Sequence, residues 1–201
     1  MFPFHPQTDR LRELIAADAI GELREIRSGF HFRLDDEEDT RMQLEFGGGS
    51  VQDVGCYPIR LARLLFEAEP ERSRTVADAR WAASGVDEEC WGALTFPDDR
   101  RLLFSSGFRA EDDTSTTLLG TLGRIHVTNP FHAEPGDTIA VVRGGHAEIE
   151  PAPGTDERSF TAAIRHLHRA IRGLDTPRHL AVDEAMGNAE AIADVLRAAL
   201  R

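Results

Sequence analysis

Apolar residues recur at three- and four-residue spacing near both ends of the chain and at alternate positions through its middle. Leu11, Leu14 and Ile15 predict an amphipathic helix over Pro6–Ala17, begun by Pro6 or Thr8 and ended at Gly21. Leu23 to Leu34 then alternates as a strand does. Ile26, Ser28, Phe30 and Phe32 share one face, with Arg27, His31 and Arg33 on the other. Asp35 to Asp39 is an acidic, solvated loop. Val54, Ile59, Leu61, Leu64 and Leu65 mark a second helix over Ser50–Phe66. Pro58 lies inside it and has no N–H for the carbonyl of Val54, which predicts a kink.

The middle of the chain reads as consecutive strands: Thr75–Ala83, Glu89–Phe96, Arg101–Phe108, Ser115–Leu119, Gly123–Val127, Thr138–Arg143 and His146–Glu150. Turn residues separate them at Ser84-Gly85, Pro97-Asp98-Asp99, Gly120 to Gly123 and Gly144-Gly145. Helical spacing returns with Phe160, Ile164, Leu167 and Ile171, and again with Val182, Met186, Ala189, Ile192 and Leu196. Strands that follow one another without intervening helices imply an α+β class. The expected architecture is an open, mainly antiparallel sheet with helices on one face.

Composition narrows the function classes. The 201 residues are enough for a substantial core, and no run is long and apolar enough to span a bilayer. The formal net charge of −12 argues against nucleic acid and anionic membranes as partners, since both reward a basic face. The chain has no lysine, so chemistry that needs an ammonium group has to take it from elsewhere. Cys56 and Cys90 are the only cysteines, too few for a disulfide framework or a zinc site. With no signal-peptide pattern at Met1–Pro6, a reducing cytoplasm is the expected location. The histidines show no ligand spacing, and no metal site is expected.

The segment Gly47-Gly48-Gly49-Ser50-Val51-Gln52-Asp53-Val54-Gly55-Cys56-Tyr57-Pro58 carries the candidate chemistry. Asp53 and Tyr57 are four residues apart, so on a helix they share a face. A phenol can exchange a proton with an alcohol or carbonyl oxygen, and a carboxylate can orient a hydroxyl. The plainer alternative is that Asp53 braces the helix start while Tyr57 packs. The glycines admit two readings, a phosphate cradle or a close backbone approach, and the second is the more economical. Arg41 is a candidate for an anionic substrate or cofactor group, or a plain surface arginine. His31 and Arg41 are the candidate substrate-binding residues.

The opening Phe4-His5-Pro6-Gln7, Leu14-Ile15 and Ile20-Gly21-Glu22-Leu23 resembles the Gfo/Idh/MocA family of glucose–fructose oxidoreductase and inositol dehydrogenase. So do the glycine segment with Asp53 and Tyr57, and Gly120-Thr121-Leu122-Gly123-Arg124-Ile125. The resemblance covers essentially the whole chain, but only the family's C-terminal domain. It implies that Asp53 and Tyr57 are a catalytic pair beside the nicotinamide of NAD or NADP, acting on a sugar or cyclic diol. Tyr57 would handle the hydroxyl proton and Asp53 would position the substrate. The family's other domain binds the nucleotide and supplies a lysine. This sequence has no Gly-x-Gly-x-x-Gly after a strand, so residues 1–201 are expected to be one substrate-binding and oligomerisation domain. Such a chain is expected to be truncated relative to the family, to bind no cofactor alone and to be inactive alone. Its expected partners are a second copy of itself, met through the sheet, and a separate nucleotide-binding chain. The competing reading is a non-catalytic ligand-binding or assembly module that keeps the family sheet.

Overall fold

In a computed structural model, residues 1–156, 158–179 and 181–200 are described. They contain helices α1 (Pro6–Ala16), α2 (Cys56–Phe66), α3 (Ser159–Ile171) and α4 (Val182–Ala199). The strands are β1 (Leu23–His31), β2 (Val76–Trp81), β3 (Asp87–Thr95), β4 (Arg101–Gly107), β5 (Thr116–Gly120), β6 (Gly123–Val127), β7 (Thr138–Arg143) and β8 (His146–Pro151). The α+β class and the mainly antiparallel, open pairing follow the sequence pattern. The chain forms two compact units, one of Met1–Arg24 with Ser115–Ala185 and one of Glu25–Thr114 with Met186–Arg201.

The first unit contains the antiparallel meander β5-β6-β7-β8. Helix α1 starts where Pro6 needs no N–H partner and His5 Nδ1 accepts the Gln7 amide at 3.3 Å. The α3 stripe of Phe160, Ile164, Leu167 and Ile171 is not core. These residues are 57%, 66%, 45% and 76% exposed. Helical periodicity is present, but no element of the described chain covers that face.

The second unit carries the candidate site. Its strand order is β2-β3-β4-β1. The β2–β3 and β3–β4 pairs are antiparallel, while β1 runs parallel to β4. The parallel pair arises because the chain leaves β1, passes through α2 and the β2–β3 hairpin, and returns beside it. One sheet face buries Ile26, Ser28, Cys90, Leu94, Leu102 and Phe104, and α2 contributes Ile59, Leu61 and Leu65 to the core. A satellite cluster of Met42, Val54, Val86 and Phe108, with Phe30 and Phe32 against it, lies beneath the loop after β1. Met42 is 1% exposed. Burying that side chain is worth about 1.5–3 kcal/mol, which pins its neighbour Arg41 in place.

Two expectations need correction. The strand ends at His31 rather than Leu34, although the Phe32 and Leu34 amides still donate to Gly107 and Phe108 carbonyls. Ser50–Phe66 is not one kinked α-helix either. Val51–Gly55 forms a π-helical turn, and the α-helix starts only at Cys56. The wide turn absorbs the missing donor of Pro58, which then falls in the first turn of α2, where a helix tolerates proline.

Candidate active site

The site is built on the loop and π-turn between β1 and α2. Single 3-10 turns at Thr40–Met42 and Leu44–Phe46 lead into the glycines. The Asp39 carboxylate caps the first turn, accepting the Arg41 amide at 2.8 Å. Gly48 lies so close to the preceding loop that a Cβ there would meet the Arg41 carbonyl oxygen at 2.3 Å. At Gly49, whose φ is +118°, a Cβ would meet Asp87 Oδ1 at 2.3 Å. Both positions therefore exclude any side chain.

Asp87, on β3 and 3% exposed, anchors the start of the π-turn. Its Oδ2 accepts the Val51 amide at 2.7 Å and the Ser50 hydroxyl at 2.8 Å, and Ser50 Oγ lies 2.9 Å from Ser106 Oγ. Burial pushes the Asp87 carboxyl above its ordinary range, against hydrogen bonds from Val51 and Ser50 that pull it down. The amides of Gly47, Gly48 and Gly49 donate to the Leu44, Gln43 and Arg41 carbonyls. The amides a phosphate would need are thus already engaged, by backbone and by a resident carboxylate. The glycines are close-approach residues, and their amides are not free to hold the pyrophosphate of a dinucleotide.

Asp53 emerges from the π-turn toward Arg41. Arg41 Nε donates to Asp53 Oδ2 at 2.9 Å, and its Nη1 lies 3.4 Å from both Asp39 oxygens. The hydrogen bond and charge of Asp53 raise the Arg41 pKa further above its ordinary value. The Arg41 guanidinium also lies 5.9 Å from the centre of the Phe32 ring. Side chains this exposed yield only about 0.2–1 kcal/mol from an ion pair, so the pair orients more than it stabilises. An open concavity of about 280 Å³ lies here, walled by Thr40, Arg41, Phe46, Gly47, Gly48, Gln52 and Asp53.

Tyr57 is not part of that wall. Its half-buried ring meets Phe30 edge-on at 5.2 Å. Burial pushes the phenol above its ordinary pKa, with smaller contributions from Cys56 and from the negative charge of Asp53. The phenol is protonated at neutral pH, as an ordinary tyrosine also is. His31 belongs elsewhere. Successive strand residues face opposite ways, and Phe30 faces Tyr57, so His31 lies on the other face of β1. There its Nε2 is 2.8 Å from Ser105 Oγ, while its Nδ1 has no hydrogen-bond partner. Burial lowers its pKa, against the charges of Asp113 and Glu89. The structure thus brings Arg41 and Asp53 together, sets Tyr57 within range of the Asp53 charge and separates His31 from all three. Sequence reasoning missed Asp87, Phe46 and Gln52. Among the described residues no group of three His, Cys, Asp or Glu side chains is arranged for a metal.

Residues 8–126 match the GFO/IDH/MocA C-terminal domain, and the chain belongs to that family. It is 30% identical over 181 residues to D-xylose 1-dehydrogenase (NADP(+)) 2 of Haloferax volcanii, spanning 89% of this chain and 54% of that protein. It is 28% identical over 158 residues to trans-1,2-dihydrobenzene-1,2-diol dehydrogenase of Xenopus laevis, spanning 79% of this chain and 46% of that protein. The chain thus spans about half the length of these relatives. Its fold matches KijD10, a 3-ketoreductase from Actinomadura kijaniata in complex with NADP and TDP-benzene. The TM-score is 0.86 at 24% identity, over 98% of this chain and 60% of that one.

Proposed function

We propose that this chain is the substrate-binding half of an NAD(P)-dependent dehydrogenase that acts on a sugar or cyclic diol. The observation that carries the proposal is the placement of Asp53. It is fixed by Arg41 in the wall of a concavity, one helical turn before a tyrosine whose phenol stays protonated. In this reading Asp53 orients a substrate hydroxyl, Arg41 holds Asp53 and Tyr57 carries the proton at the reacting oxygen. His31 is left as a residue of the opposite sheet face. The cofactor supplies the redox chemistry when bound by a nucleotide-binding domain on another segment or chain. The occupied amides of the glycine loop and the absence of lysine support that division of labour.

A fusion tests it. The 201-residue chain alone should leave NADPH fluorescence unchanged on titration. Fused behind a nucleotide-binding domain of the family, it should oxidise pentoses or trans-diols with NAD(P). Saturable NADPH binding by the chain alone, or a folded fusion inactive on every sugar and diol, would reject the assignment. The second outcome would favour a non-catalytic binding module.

The proposal includes self-association through the sheet. Val76 and Leu103 flank Ala93 on neighbouring strands, with Trp91 two residues along. They are 67%, 37% and 48% exposed on the face opposite the core. Apolar surface gathered in this way marks interfaces. Light scattering should give twice the chain mass, and Trp91→Glu should return it to one. Cys56 and Cys90 are both free thiols, pushed up to about 12 chiefly by burial, which suits a cytoplasmic protein whose cysteines do no chemistry.

A further inference from the structure

The Asp53 concavity has a charge balance and an aromatic wall that select among substrates. We infer that it takes a neutral polyhydroxylated ring stacked on Phe46 and rejects phosphorylated or nucleotide-linked forms of the same sugar. The inference rests on the reading of this concavity as the substrate site and adds the class of substrate and a specificity residue.

Three charged groups meet there. Arg41 contacts both Asp53 and Asp39, so one guanidinium answers two carboxylates and the cluster carries net −1. The run Asp35-Asp36-Glu37-Glu38-Asp39 enters the same loop. An incoming phosphate would meet a guanidinium already matched to carboxylates and a field of its own sign. A neutral hydroxyl meets what it needs. It can donate to Asp53 and accept from Arg41 or from the amide of Gln52, which stands in the same wall.

Phe46 supplies the apolar half of the recognition. It is 66% exposed yet belongs to the wall of the concavity. The 3-10 turn Leu44–Phe46 fixes its backbone, and Gly47, at φ +71°, turns the chain away directly after it. An aromatic face beside a carboxylate, a guanidinium and an amide matches a sugar ring, which has C–H surface on its faces and hydroxyls around its edge. The occupied glycine amides remove a further feature nearby that would favour an anion, leaving only a guanidinium already paired to two carboxylates among the groups named in this wall.

Titration of the isotope-labelled chain with glucose, xylose and glucose 1-phosphate, followed by backbone NMR, tests this directly. The neutral sugars should shift the Gln52 and Asp53 amides, with glucose 1-phosphate on the order of tenfold weaker. Phe46→Ala should weaken the neutral sugars by about tenfold and Phe46→Tyr should preserve them. Phe46 is exposed enough for both variants to fold. Equal or tighter binding of the phosphate overturns the inference, as does sugar affinity indifferent to Phe46→Ala or the absence of any shift at these amides. Binding as described in a chain whose fusion lacks dehydrogenase activity would retain this inference and discard the function it was built on.

Discussion

Asp87→Ala is expected to lower the unfolding free energy of the second unit by about 3 kcal/mol, the upper range for losing hydrogen bonds to a buried charged acceptor. The substitution leaves the Val51 amide without its acceptor and the Ser50 hydroxyl with only Ser106. It also opens a void against Gly49, which has no side chain to fill it. Trp81 and Trp91 lie on β2 and β3 of the same unit, so their fluorescence in urea reads the transition. The loss should depend on pH. The folded-state pKa of Asp87 is raised above its unfolded value. Its protonation-linked stability is therefore complete below the ordinary Asp pKa and falls as pH rises through the folded one. The gap between wild type and Asp87→Ala should be wider near pH 4 than at pH 7. A gap of less than about 1 kcal/mol at both would show that the glycine turn holds without this anchor.

The same anchor shows what the sequence could and could not reveal. Strands β6 and β7 begin and end at the residues their alternation implies, because each is bounded by glycine or a charged turn and has one buried face. Asp53 and Tyr57 were singled out because their types and spacing suggest joint chemistry, and that role belongs to the proposed function. Asp87 was not. It is 37 residues from Ser50, and nothing local distinguishes a buried anchoring carboxylate from a solvated one at a strand start. Pro58 announced a helix irregularity, yet whether a π-turn or a kink results depends on how the turn before it is tied to β3. The α3 stripe shows the opposite failure. Its period states that a helix forms but not that anything covers it. His31 was named as a candidate substrate-binding residue, yet the strand alternation read from the same sequence already turns it to the face opposite Phe30.

Tyr57→Phe, placed in the fusion with a nucleotide-binding domain, is expected to lower turnover by on the order of a hundredfold, or about 2.7 kcal/mol of activation free energy. On the proposed function the phenol gives its proton to the substrate oxygen in the reducing direction and takes it back in the oxidising one. Its ring packs edge-on against Phe30, and the phenylalanine keeps that ring contact while removing the hydroxyl. KM should change little, because substrate orientation belongs to Asp53 and Arg41. Asp53→Asn should instead raise KM, with its Arg41 partner left in place. The pH profiles carry the sharper expectation. Burial, together with the negative charge of Asp53, holds the phenol protonated beyond its ordinary range. Carbonyl reduction should then stay flat from neutral pH past the point at which an ordinary tyrosine ionises. Alcohol oxidation, which needs the proton acceptor, should still be rising there. Tyr57→Phe should abolish that rise, an effect that a merely packed tyrosine would not produce. Turnover and pH profiles unchanged by the substitution would remove Tyr57 from the chemistry and leave Asp53 to bind a substrate whose proton moves by another route.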